Sequence, residues 1–496
     1  MLRCIACYLF ISFWSISLFG QNSKVEILNS DLLKLQEIDG QAFRMLVGNV
    51  RLKQNDALMY CDSAILNRDS NTVQAFGSVH INQNDSVKIY SDRLLYEGNK
   101  KKASLYENVR LTDSEVTITS DELFYNLNNR VASYYRGAVI KDGPTVLSSK
   151  RGFYFARSED MFFKDSVVIV DPNYTLTSDT LKYNAVTEVA RFYGKTEIEN
   201  TDSRIVCFNG WYDTQKELAS FGENTRIINP PQTIIADSLY YERSIGFGKA
   251  IGNFTWIDEE MDMLMYGDYA EYWEAESFLT AVNRPVLVYI MEDDSLFLSA
   301  DTLVSRDDEE ADIKYFFAYY NVRMFHSDMQ AVCDSLYFSF KDSAFQMYYD
   351  PILWSDNTQM TADTIIMTIA GNQIERVYLQ KSSFIVSPSA TNLYDQVKGK
   401  NMIGYFKDNA IKKMHVIGNA ESIYFGLDDD KKYVGMNKSL SAQIWMYFEE
   451  RVINEIKFLK KPEAVFTPMR QVSKDITTLK EFEWREEKKP ISSEDL

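Results

Sequence analysis

The chain has 496 residues, 45% of them hydrophobic, and a formal net charge of −18. That length is too great for one ordinary core, so several domains or a repeat array is expected. So acidic a chain, with no basic cluster, is a poor partner for nucleic acid.

The first element is residues 1–20. Arg3 is its sole charge, an apolar run extends to Phe19, and Gly20 is a small residue at the expected cleavage point. This reads as a secretory signal peptide. A retained membrane anchor is the alternative, but an apolar run of about 16 residues is short for a bilayer span of about 20. Loss of Arg3 with the signal takes the charge to −19. Cys4 and Cys7 leave with it. Cys61, Cys207 and Cys333 remain, an odd number that excludes a complete disulfide framework. Residues 21–44 form an N-terminal lead-in.

From residue 45 to 466 the sequence repeats. Tyr96, Tyr125, Tyr154, Tyr183, Tyr212 and Tyr241 follow one another at steps of 29, and Tyr272 comes 31 residues later. The segment Ser91-Asp92-Arg93-Leu94-Leu95-Tyr96 returns as Ser120 to Tyr125, Ser178 to Tyr183 and Ala236 to Tyr241. Looser copies centre on Asp62, Asp268, Asp301, Asp334 and Asp363, for about 14 units in all.

Three columns carry the physics. Three residues before the Asp stand Ile89, Ile118, Leu147, Leu176, Ile205 and Ile234. Two and four residues after it stand Leu94, Leu123, Leu181 and Leu239 with the tyrosines. Alternation at period two means a strand with one buried face. The step between the two sets is odd, so a flat strand would put them on opposite faces. The pleat must change phase at the Asp, through a bulge or sharp bend. The residue before the Asp is small, as at Cys61, Ser91, Ser120, Cys207, Ala236 and Cys333, which suits the inside of a tight corner. The three cysteines therefore read as separated, free core thiols.

Each unit has a second strand broken at its midpoint by glycine, as in Gly48-Asn49-Val50, Gly77-Ser78-Val79 and Gly252-Asn253-Phe254. Polar turns such as Glu97-Gly98-Asn99-Lys100 separate the strands. The expected fold is all-β: an elongated, open, V-shaped trough of bent antiparallel strands with an apolar interior. Phe43 to Leu52 is the first clear strand and leaves an unpaired edge. Residues 467–496 form a charged C-terminal tail. Its Phe482 and Trp484 could anchor it, but a frayed end is the simpler expectation.

Chemistry is sparse. His80, His326 and His415 read as exposed strand residues, and no nucleophile, phosphate-loop or zinc spacing appears. The Asp column admits two readings, a calcium ladder or bends held by local hydrogen bonds. One carboxylate per unit fits the bend better. The tyrosine column is either an aromatic core or, because core and ligand site coincide in a trough, a lipid contact.

The ~29-residue bent hairpins, with Gly-x-Val in one strand and Ser/Ala-Asp-x-Leu-x-Tyr in the next, resemble the OstA/LptA family over Gly48 to Phe466. That resemblance implies a periplasmic β-jellyroll of lipopolysaccharide transport, here two or three fused modules. It implies an apolar groove for acyl chains lined by Ile89, Leu94, Tyr96, Ile118, Leu123, Tyr125, Leu147, Tyr154, Leu176, Leu181, Tyr183, Ile205, Tyr212, Ile234, Leu239 and Tyr241. No catalytic residue, cofactor or metal is expected. The expected partners are lipopolysaccharide or another amphiphile, and other β-jellyroll proteins or a second copy joined through edge strands. The location is periplasmic, with association at the outer membrane. A secreted polysaccharide-active enzyme and a structural or adhesive repeat protein are the rival readings.

Overall fold

A computed structural model describes residues 24–83, 87–113, 116–291, 294–308, 313–371, 373–408, 410–428, 430–449 and 452–496. The expected signal peptide lies outside the described residues. The chain divides into two units, one ending at Val186 and one beginning at Thr187. No α-helix occurs among the described residues, and antiparallel strands dominate both units, in agreement with the all-β jellyroll expectation.

In the first unit the strands are β1 (Glu26–Asn29), β2 (Leu32–Ile38), β3 (Gln41–Gln54), β4 (Ala57–Asn67), β5 (Thr72–Gln83), β6 (Val87–Glu97), β7 (Lys102–Asp113), β8 (Val116–Asn126), β9 (Val131–Tyr134), β10 (Ala138–Asp142), β11 (Thr145–Ser149), β12 (Arg151–Phe155), β13 (Asp160–Val170) and β14 (Thr175–Asn184). Each pairs with its neighbour in sequence, or two half-strands together pair with one whole strand, as β9 and β10 do with β8.

The predicted change of phase is present and has a visible cause. Along β5 and β6 the register runs Gln83↔Val87 to Val79↔Ser91, then resumes at Phe76↔Arg93. Gly77 and Ser78 thus oppose Asp92 alone, a two-against-one bulge. Both take left-handed φ, +73° and +46°. The same doublet recurs at Gly48/Asn49, Glu107/Asn108, Glu223/Asn224 and Gly252/Asn253. Four of these five bulges are clasped by an aspartate at the matching place of the preceding strand or strand pair; facing Glu223/Asn224 that place is held by Phe208. Asn49 donates to Asp31 at 2.8 Å, Ser78 to Asp62 at 3.1 Å, Asn108 to Asp92 at 2.6 Å and Asn253 to Asp237 at 2.8 Å. These bonds support the bend reading of the column. The small residue beside the Asp also bonds locally, Ser120 Oγ to the Glu122 carbonyl at 2.8 Å. Cys61, Cys207 and Cys333 occupy that slot as buried free thiols.

The bulges crease every strand into two arms. One, the Ile arm, carries the Ile89 column; the other, the Tyr arm, carries the Tyr96 column. Their inner faces form the core: Leu52, Ile81, Ile89, Leu94, Tyr96 and Leu105 are each at most 3% exposed.

Two expectations for the ends need correction. Phe43 to Leu52 is not the edge: β2 pairs with it as Leu32↔Val47 and Leu33↔Leu46, and β1 as Ile27↔Leu52. The true edge is formed by β1 and β2, and β2 leaves Leu33 and Leu35 45% and 73% exposed.

The second unit begins with β15 (Val189–Glu199), β16 (Arg204–Asp213), β17 (Leu218–Asn229), β18 (Gln232–Glu242), β19 (Phe247–Asp258) and β20 (Met263–Trp273), and its strands continue to Glu463–Pro468. The C-terminal segment is not frayed. Leu479, 3% exposed, packs with Phe384, Val386, Ile423, Phe425 and Met436, and Phe482 and Trp484 pack on Tyr394. Gln396 donates to the Thr477 carbonyl and accepts from Leu479 N, both at 2.8 Å. Gln359 does the same for Glu483 and Arg485, again at 2.8 Å. Gln396 pairs with Val386 and Ile423, one residue out of phase with Ile385 and Val397. The segment therefore straps the outer face of the Ile arm, and it could be read as docked only by recognising an apolar row where an outward polar row was due.

Candidate functional site

The trough interior is the candidate site, and it differs between the two units. In the first unit its mouth is shut by polar side chains that reach from one arm to the other. Tyr96 donates to Gln54 Oε1, Tyr125 to Gln83 Oε1 at 3.1 Å and Tyr154 to Asp113 Oδ2 at 2.9 Å. Each acceptor ends a strand on the Ile arm and each donor sits near a strand end on the Tyr arm. Burial pushes the Tyr125 phenol up to about 12, so it stays a donor at every physiological pH. Beneath this row the arms interlock. The void among Ile118, Leu123, Tyr134, Ile140 and Tyr154 is about 10 Å³, room for one water at most.

In the second unit the crease is still sealed. Phe192, Thr196, Cys207, Thr225 and Phe254 are at most 2% exposed. Toward the mouth, however, the inward residues of β15–β18 are only half-buried: Ile198, Ile205, Tyr212, Ile227, Ile234 and Tyr241. They form one inner face, since Ile198 pairs with Ile205, Ile205 with Ile227 and Ile227 with Ile234. The polar residues at the ends of β15 and β19 cap their own turns instead of crossing, and Asp258 also accepts from Gln232 at the start of β18 at 3.1 Å. Asn200 accepts from Asp202 N at 3.0 Å and Ser203 N at 2.6 Å, and Asp258 accepts from Glu260 N and Met261 N, both at 3.1 Å. Tyr241 donates along its own arm, to Glu274 at 2.9 Å. Past this stretch the interior is roofed again, with Lys314 5.7 Å from the Trp256 ring. The second unit thus holds an apolar trough with a closed floor and an open mouth.

The sixteen sequence-derived lining residues all lie on the inner side of the crease. Ile89, Leu94, Tyr96, Ile118, Leu123, Tyr125, Leu147, Tyr154, Leu176, Leu181 and Leu239 are buried in it. Tyr183, Ile205, Tyr212, Ile234 and Tyr241 are half-buried. Ile198 and Ile227, not singled out in the sequence, complete the open face. Their signal was there: they precede the Asn200 and Asn229 turns with the spacing that Ile81 keeps from its own turn.

The histidines are not exposed. His80 stacks between Tyr60 and Tyr90 at 5.5 and 4.4 Å, His415 stacks on Trp445 at 4.0 Å, and His326 is 5% exposed beside Asp294. Cross-strand neighbours on an outer face supply the cover that an isolated strand pattern does not reveal. Burial lowers the pKa of His80 and His415. Among the described residues no three His, Cys, Asp or Glu side chains gather as a metal site.

Residues 22–179 and 173–237 match the family model of OstA-like proteins. No curated protein matches the chain. Among solved structures, LptH of Pseudomonas aeruginosa, described as the LptA homologous periplasmic component of the lipopolysaccharide transport device, is 15% identical. The match covers 29% of this chain and 100% of that one, with a TM-score of 0.23.

Proposed function

This chain is OstA-like over residues 22–237, and from that premise we propose that it is a periplasmic carrier of lipopolysaccharide or a related amphiphile. The acyl chains lie in the apolar trough, and no catalysis is involved. The observation that carries this reading is the open inner face of Ile198, Ile205, Tyr212, Ile227, Ile234 and Tyr241 above a sealed crease. Each methylene buried there contributes about 0.8 kcal/mol, so a few chains are held without specific chemistry. The first unit takes a chain only when its arms part. Its bridging hydrogen bonds are each worth about 1 kcal/mol net, a barrier that bound acyl chain offsets. The edge at β2, with Leu33 and Leu35 exposed, suits the joining of a second β-trough, as a step toward the outer membrane.

A photo-crosslinking residue at Ile205 or Ile234 should capture lipopolysaccharide in cells. Arg226 pairs with Val206 and Ile235 on the outer row and is the control. Equal capture from Arg226, or none from the inner positions, rejects the reading. A structural or adhesive role predicts that no lipid is extracted with the purified protein.

A further inference from the structure

The turns that edge the open trough are acidic on both sides. At the ends of the Ile arm stand Glu199 and Asp202 after β15, and Glu259, Glu260 and Asp262 after β19. At the ends of the Tyr arm stand Glu217, Glu242, Glu274 and Glu276. Three bases stand on or beside these turns, Arg204, Lys216 and Arg243, against nine carboxylates, and two of the three are already engaged. Arg204 lies 2.7 Å from Glu197 and 3.2 Å from Glu199, and Lys216 lies 3.5 Å from Asp213. The arm ends are also where a head group must sit if the chains run down toward the sealed crease. Each carboxylate acts weakly through water, but charges of one sign within a Debye length of about 8 Å add.

We propose that the open trough selects acyl amphiphiles whose head group presents an ammonium group and disfavours a bare anionic head. This rests on the reading of the trough as an acyl-chain site and specifies what that site accepts. It follows from the pairing of an apolar slot with two acidic lips: the slot sets the tail and the lips set the sign of the head. A phosphorylated lipid is then carried best when amine groups on its head offset the phosphates.

The test uses the mature protein and three ten-carbon probes below their micelle concentrations, in EDTA: decyl maltoside, decyltrimethylammonium and decyl sulfate. Calorimetric binding of decyl maltoside that is lost in Ile205→Glu establishes the slot; without it the acyl-chain reading and this proposal both fail. With the slot established, decyltrimethylammonium should bind at least about tenfold tighter than decyl sulfate, and the ratio should shrink as salt rises. Binding of the two within about threefold, or a preference for sulfate, overturns the proposal and leaves the slot standing. The quadruple variant Asp202→Asn, Glu259→Gln, Glu260→Gln, Glu276→Gln, checked for an unchanged circular dichroism spectrum, should lose most of the preference. A second quadruple variant removes as much charge elsewhere, by Glu375→Gln, Asp408→Asn, Asp430→Asn and Glu463→Gln, and should keep it. Equal loss in both assigns the preference to overall charge and also overturns the proposal.

Discussion

Replacing Gln396 by alanine should release the C-terminal strap while leaving the trough folded. Gln396 is fully buried, and its amide bonds both the carbonyl of Thr477 and the N–H of Leu479 at 2.8 Å. Alanine leaves those two backbone groups without this partner, the Leu479 N–H buried and the Thr477 carbonyl half-buried. An unpaired buried group costs about 1–3 kcal/mol, so the pair costs about 3 kcal/mol after partial relaxation. At 1.36 kcal/mol per decade that is a rise of about 100-fold in the open population of the strap. The ion pairs on the same segment do not compensate. Arg485 meets Asp350 at 2.7 Å and Lys398 meets Glu481 at 2.7 Å, but Asp350 and Glu481 are 63% and 57% exposed, and such pairs are worth about 0–1 kcal/mol. Hydrogen exchange read by mass spectrometry decides the matter. Peptides spanning Ile476–Arg485 should exchange about 100-fold faster in the variant, and peptides from β15–β18 should not change. Unchanged protection of the strap would show that its docking does not depend on Gln396. Loss of protection throughout the second unit would show that the strap is part of one cooperative core, not a separable cover.

Three further outcomes follow from the corners and the buried groups. Gly77→Ala should cost about 2–3 kcal/mol, since φ is +73° and the new Cβ collides with the Asp62 carboxylate that clasps the bulge. Gly40→Ala, at φ +74° but with nothing within 4 Å, should cost only about 1 kcal/mol, and equal losses in thermal melts would refute the clasp. Burial pushes the thiols of Cys61 and Cys207 up to about 11 and of Cys333 up to about 12, so a thiol reagent should label none of them in the native protein at pH 8 and all three after unfolding. Burial raises the Asp395 carboxyl from 3.8 to about 6, so the folded state holds a proton that the unfolded state has released between those values. Its contribution to stability is therefore complete below pH 4 and is lost as pH rises to 6; Asp395→Asn should raise the melting temperature at pH 7 and leave it nearly unchanged at pH 4.

Which parts of this architecture could be read from the chain depends on whether a residue type has one physical use or two. The crease was legible because an odd step between Ile89 and Leu94 has one solution, a change of pleat phase, and because glycine at 48, 77 and 252 marks the left-handed corner. The cysteines were legible because only a small side chain fits their slot. The histidines and the strap were not. His80 is covered by Tyr60 and Tyr90 on an outer face, and the strap rests on Phe384, Ile423 and Phe425, whose apolar character strand periodicity alone assigns to no particular partner. The sealing of one trough and the opening of the other also escaped, for a reason of side-chain length. Gln54 and Gln83 end their strands with a reach sufficient to meet a tyrosine across the mouth. Asn200, one methylene shorter, and Asp258 turn back onto the amides of their own loops. Asp113 shows that a short side chain can still cross, since it accepts from Tyr154. Whether the mouth is open is thus decided by competition between a local turn and a distant phenol, and a repeat pattern that scores Asn, Asp and Gln alike as polar turn residues is blind to it.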